Sequence, residues 1–106
     1  MQDALQIGPI DIESAPGSFE GKAASLSKKL NVWIEDRKTD LARVLGNVID
    51  GRSTPDEARV LIENAVEFDL YSWFRRLRLK RSTIERAKET AAEALISLAM
   101  KERGKK

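Results

Sequence analysis

Five cations stand within seven residues at Arg75, Arg76, Arg78, Lys80 and Arg81, directly behind the aromatics Tyr71, Trp73 and Phe74. Side chains of this kind at this density suit phosphate, because Arg presents a donor fork and Lys a point charge. Compensating the dipole at a helix end asks for one or two cations, so five point to an anionic partner. A helical wheel puts Arg75, Arg78 and Arg81 on one side and Arg76 and Lys80 on the other, with Leu77 between, so the set forms a collar. Lys22, Lys28 and Lys29 supply a second basic set upstream, scattered with Arg37, Lys38 and Arg43. Taken singly these are ordinary solubilising residues; aligned with the collar across a dimer they would extend it into a long basic face.

The neighbouring aromatics raise the chemistry of base stacking. Trp73 and Phe74 share helical spacing with Val66, Leu70 and Leu77, which assigns both to the core and leaves Tyr71 as the surface aromatic. Asp69 falls inside the same apolar arc, so its carboxylate requires a partner, Arg76 or an Arg from another helix or chain. Asp36/Asp40, Glu85/Glu89 and Glu89/Glu93 stand one turn apart, but cations interleave with them, and salt-bridged faces are expected rather than a metal site.

Other chemistry is narrowed by what the chain lacks. It contains no Cys and no His, which removes thiol nucleophiles, thiolate ligands, and the commonest general base and metal ligand. It has no phosphate loop and no Gly-rich dinucleotide fingerprint. A non-enzymatic protein without cofactor or metal is expected. The formal net charge of +2 hides a gradient. Residues 53 to 74 carry one Arg against five acids, whereas Arg75 to Lys106 carry eleven cations against four acids. Asymmetry of this kind marks an anion-binding half. No apolar run approaches a membrane span, and the start lacks the pattern of a secretory signal, so a cytoplasmic (intracellular) protein is expected.

The elements that must position these residues read as all-α. Residues 1 to 17, with Gly8, Pro9, Pro16 and Gly17, form an extended N-terminal arm docked through Ile7, Ile10 and Ile12. Residues 18 to 104 form a single helical domain. Ser18 opens a first helix over about 18–50, with a break near Asn31 or at Gly46 as its main weakness and Gly51 as its left-handed stop. Thr54-Pro-Asp-Glu57 has capping-box spacing and starts a second helix over about 55–80. Ser82-Thr-Ile-Glu85 repeats the pattern and starts a third over about 83–103. Ile84, Ala87, Ala91, Ala94 and Leu98 line a close-packing seam on it, either internal or between subunits.

Two long helices in a short chain call for contacts from a second copy, and a homodimer is expected. In overall design the chain is similar to small viral suppressors that lay a helical dimer along duplex RNA, and to small helical plasmid RNA-binding dimers; no shared motif carries a residue role across. The leading reading is a dimer that holds backbone phosphates of a duplex, RNA ranking ahead of DNA, with little base readout. The competing reading is an adaptor or inhibitor that docks another protein through the acidic and aromatic face of residues 53–74.

Overall fold

The computed structural model describes residues 7–10 and 19–104, and all regular structure among them is helical. Four helices follow in order: α1 Ala23–Asp36, α2 Lys38–Ile49, α3 Pro55–Arg76 and α4 Arg81–Gly104. The single first helix expected over 18–50 is two, and it starts later. Phe19 to Lys22 form a turn in which the Lys22 N–H donates to the Phe19 carbonyl, with Glu20 and Gly21 both at positive φ. Gly21 therefore serves the turn and does not weaken a helix. Ser18 lies outside the described residues.

The break falls neither at Asn31 nor at Gly46 but at Arg37, whose φ of −105° and ψ of 16° leave the helical well. Its N–H still bonds the Trp33 carbonyl and its own carbonyl accepts from Leu41, so the hydrogen-bonded path bends without parting. Arg37 is also the residue whose side chain crosses to α3. Asn31 instead holds the arm. Its side-chain amide accepts the Ile10 N–H at 2.8 Å and donates back to the Ile10 carbonyl at 3.1 Å. Ile7 of the arm is buried and Ile10 half-buried against the core. Ile12 lies outside the described residues.

The α2 stop is as expected. Gly51 has φ 78°, its N–H reaches Val48, and the Arg52 N–H reaches the Asn47 carbonyl, completing a Schellman motif. The Thr54 capping box is also formed, with Glu57 N–H donating to Thr54 Oγ1 at 3.1 Å and Thr54 N–H donating to Glu57 Oε1 at 3.0 Å.

The end of α3 differs from the expected Lys80. The helix stops at Arg76, Leu77 is the C-cap, and Arg78 takes φ 54°. Arg78 N–H bonds the Arg75 carbonyl and Leu79 N–H the Phe74 carbonyl, a second Schellman motif in which Leu79 packs back on the core. An apolar residue at that position favours stopping one turn early. The left-handed residue is here an Arg, which carries a Cβ penalty that Gly avoids. Arg78→Gly should therefore raise stability by about 1 kcal/mol. Thermal denaturation checks this, and an unchanged or lower midpoint contradicts it.

Helix α4 begins at Arg81, so Ser82 sits inside the first turn and the second capping box does not form. The cap comes from elsewhere. Glu20, in the turn before α1, accepts the Lys80 N–H at 3.1 Å and a hydrogen bond from the Thr83 side chain. Those two donors hold its carboxyl below the usual range. Helix α4 then lies against α3 and α2. Of the expected seam, Ala87 and Ala91 are buried there, Ile84 and Leu98 are half-buried against the core and Ala94 is half-buried; Ala92, Leu95, Ile96 and Ala99 complete the buried face. The opposing residues are Leu26, Leu30, Trp33 and Ile34 of α1, Leu41, Leu45 and Val48 of α2, and Ala58, Ile62, Val66, Leu70 and Phe74 of α3.

Candidate nucleic-acid interface

The α3–α4 corner carries the collar, but not in the arrangement a continuous helix would give. Because α3 ends at Arg76, the wheel positions of Arg78, Lys80 and Arg81 do not apply. Arg75 and Arg76 are exposed on the last turn of α3, Arg78 is exposed at the left-handed position, and Lys80 is exposed one residue before α4. Among the described residues, Arg76 and Arg78 have no acidic partner within 4 Å.

Arg81 is different. Its guanidinium donates to both oxygens of Glu67, at 3.0 and 2.6 Å, and also to Glu85. Glu67 and Glu85 in turn receive Lys88, whose Nζ lies 2.6 Å from Glu67 Oε1. Lys88 is only 5% exposed, although its sequence neighbourhood reads as a solvated face. Hydrogen bonds from Arg81 and then Lys88 lower the Glu67 pKa to about 2. Burial alone pushes Lys88 down, yet the two carboxylates outweigh it and hold the ammonium charged. Arg81 is a structural strut between α3 and α4, not a free phosphate ligand.

The upstream set divides as well. Lys28 is exposed and has no acidic partner among the described residues. Lys29 places its Nζ 5.8 Å from the Trp73 ring centroid. Lys22 and Lys80 both act electrostatically on the Glu20 carboxylate, so the turn before α1 and the start of α4 meet there. On the other side of α3, Arg75 covers the Tyr71 ring at 5.7 Å. Tyr71 and Trp73 point to opposite sides of the helix, so Arg75 and Lys29 do not converge. The structure thus gathers Lys22, Lys80, Arg76 and Arg78 near the corner, leaves Lys28 and Lys29 along α1, and assigns Arg81 elsewhere.

Phe74 is buried as expected, whereas Trp73 is half-buried at the margin of the core. Leu77 is likewise half-buried. Asp69 does meet an Arg from another helix, but it is Arg37 and not Arg76. Arg37 Nε and Nη2 donate to its two oxygens at 2.9 Å each, and the Trp33 indole N–H adds a third bond at 2.8 Å. That fork ties the α1–α2 bend to the middle of α3 and raises the Arg37 pKa. One member of each acidic pair is salt-bridged: Asp40 lies between Arg37 and Arg43, Glu85 meets Arg81 and Lys88, and Glu93 meets Arg59 at 3.5 Å. No group of three or more metal-ligating side chains occurs among the described residues.

One surface aromatic escapes the sequence reading. Phe68 is 85% exposed, more than Tyr71 at 50%, and Leu61 on the same side of α3 is 55% exposed. A groove of about 340 Å³ runs beside them, walled by Leu41 and Val44 of α2 and by Leu61, Ala65 and Phe68 of α3. No described helix is long and apolar enough to cross a membrane. Comparison of the chain with family models, with curated proteins and with solved structures finds no match.

Proposed function

We propose that this chain is a non-enzymatic binding protein that grips the backbone phosphates of a duplex through Arg76, Arg78 and Lys80. Arg75 sits at the rim, and Lys22, Lys28 and Lys29 continue the positive surface along α1. The observation that carries this reading is the pattern of charge pairing. Arg37, Arg43, Arg59, Arg81 and Lys88 each meet a carboxylate within 4 Å. Among the described residues Arg76 and Arg78 meet none, and they crowd one turn of chain with Lys80, which lies near the Glu20 carboxylate. Mutual repulsion in such a cluster is relieved by an anion, and phosphates spaced along a strand supply several at once.

A duplex fits better than a stacked single strand. One face of Trp73 is taken by Lys29 and one face of Tyr71 by Arg75, which leaves little open aromatic platform. Positioning contacts of this kind carry little base information. The phosphate chemistry is common to duplex RNA and DNA, and parallel titrations separate the two.

The test is a combined Arg76→Gln, Arg78→Gln, Lys80→Gln variant, titrated against duplex RNA and duplex DNA at several salt concentrations. Affinity should fall on every sequence alike. The slope of log affinity against log salt should flatten by about 2.7 on a B-form duplex, at roughly 0.9 per lost contact. Its melting temperature should hold. Arg81→Gln should instead lower the melting temperature, because it removes a strut. Unchanged duplex binding in the triple variant, or no duplex binding by the unaltered chain, overturns the proposal.

A further inference from the structure

Helix α3 has apolar residues on two sides, and only one is covered. Ala58, Ile62, Val66, Leu70 and Phe74 fill the core. On the outer side, Glu57, Leu61, Asn64, Phe68, Tyr71 and Arg75 are all exposed. Their spacing alternates four and three throughout, the repeat of a coiled-coil seam. A solvated helix face has no reason to place Leu, Phe and Tyr at those positions, and Phe68 at 85% exposure is uncovered almost completely.

We infer that this seam pairs with the same seam of a second copy of the chain, antiparallel, about a two-fold axis at the level of Val66. The residues themselves choose the occupant and the orientation. Glu57 and Arg75 each stand nine residues from Val66, Leu61 and Tyr71 five, and Asn64 and Phe68 two. An antiparallel two-fold therefore sets Glu57 against the partner's Arg75, Leu61 against the partner's Tyr71, and Asn64 against the partner's Phe68. Every end pair joins opposite charges. A parallel pair would set Glu57 on Glu57 and Arg75 on Arg75, with repulsion at both ends.

The surroundings suit this pairing. Ala65, next to Asn64, is small, and with Leu41 and Val44 it lines the groove that would receive the partner's Phe68 ring. The capping bond of Glu57 uses Oε1, so its other oxygen faces no competing capping donor. The pairing would occupy Arg75 and leave Arg76, Arg78 and Lys80 outside the seam. It stands independently of phosphate binding.

Sedimentation equilibrium and cysteine cross-linking test it without any nucleic acid. The unaltered chain at micromolar concentration should sediment at about twice its 11.9 kDa mass. Phe68→Glu should give a monomer with an unchanged circular dichroism spectrum, since the side chain touches little of its own chain. The protein has no Cys, so Leu61→Cys and Tyr71→Cys introduce single thiols. On mild oxidation a mixture of the two variants should cross-link into the mixed dimer, whereas each variant alone should cross-link poorly. A monomeric unaltered chain overturns the pairing and leaves the seam to a helix of another protein. A Phe68→Glu variant that still dimerises overturns the choice of seam, and preferential self-linking of either thiol variant overturns the antiparallel orientation.

Discussion

Glu67→Gln should lower stability by about 2 kcal/mol near neutral pH, and that difference should vanish in acid. Glu67 joins α3 to α4 through Arg81 and the buried Lys88, which hold its pKa at about 2 against an ordinary value of 4.5. A carboxylate depressed in the folded state contributes its stability above the unfolded value and loses it as pH falls. The window therefore runs from about pH 4.5 down through about 2. The shift alone corresponds to somewhat over 3 kcal/mol at about 1.4 kcal/mol per unit, and solvent at a side chain that is 31% exposed reduces it. Glutamine keeps the shape and loses the charge, leaving Lys88 with Glu85 alone. Denaturant melts from pH 7 to 2 check the expectation. The two stability curves should converge below pH 4.5, and curves that stay parallel throughout would contradict it.

This network shows where sequence reasoning stops. Thr54–Glu57 and Ser82–Glu85 carry the same capping spacing, yet only the first becomes a capping box. At the first, no competing partner reaches Glu57 among the described contacts. At the second, Glu85 is drawn to Arg81 and Lys88, and Glu20 arrives from 60 residues away to take the Lys80 N–H. A four-residue motif states a local preference; a carboxylate brought in by tertiary packing can override it. The same holds for Lys88, whose burial depends on Glu67 in another helix. Its own turn supplies Glu85, but the closer carboxylate, Glu67, comes from α3.

Other features were legible in full or in part. The all-α class, the Gly51 stop, the Thr54 start and the core role of Phe74 follow from periodicity and turn chemistry alone. Asp69 was legible as a carboxylate in need of an Arg, because burial of an unpaired charge is so unfavourable. Which Arg answers depends on the α1–α2 bend, and the residue at that bend is the partner itself. The division of the first helix at Arg37 has no Gly or Pro to announce it. Phe68 is a different case. Its 3-4 spacing with Leu61, Asn64, Tyr71 and Arg75 is present in the sequence, but a helix read as having one apolar face conceals a second. The wheel misplaces Arg78 for a related reason, since continuing it past Arg76 assumes a helix that Leu79 ends.

A duplex of about 20 base pairs should bind the unaltered protein at least about 100-fold more tightly than one of about 8, and Phe68→Glu should abolish most of that difference. The expectation joins the phosphate corner to the α3 seam. Arg76 lies ten residues from the level of Val66, so an antiparallel pair separates the two corners by about 30 Å along the helix axis at 1.5 Å per residue. Arg78 and Lys80 follow in the turn that leaves the helix, and a span of about 30 Å is comparable to one turn of a B-form duplex at roughly 34–36 Å. Two corners one turn apart address the same side of a duplex. Once one is engaged, the second faces its phosphates at an effective concentration near millimolar, which typically multiplies affinity by about 10² to 10⁴ without any new kind of contact. A duplex of 8 base pairs is too short to reach both. On the longer duplex the salt slope should approach about 5, from six phosphate contacts at roughly 0.9 each, and on the shorter one about half of that. Phe68→Glu separates the corners and leaves each intact, so its affinity for the short duplex should match that of the unaltered chain. Its preference for the long duplex should shrink to the few-fold gain that additional binding registers provide. A Phe68→Glu monomer that retains the full length preference would show that one corner alone reads the longer duplex, and the coupling of the two sites through α3 would be wrong.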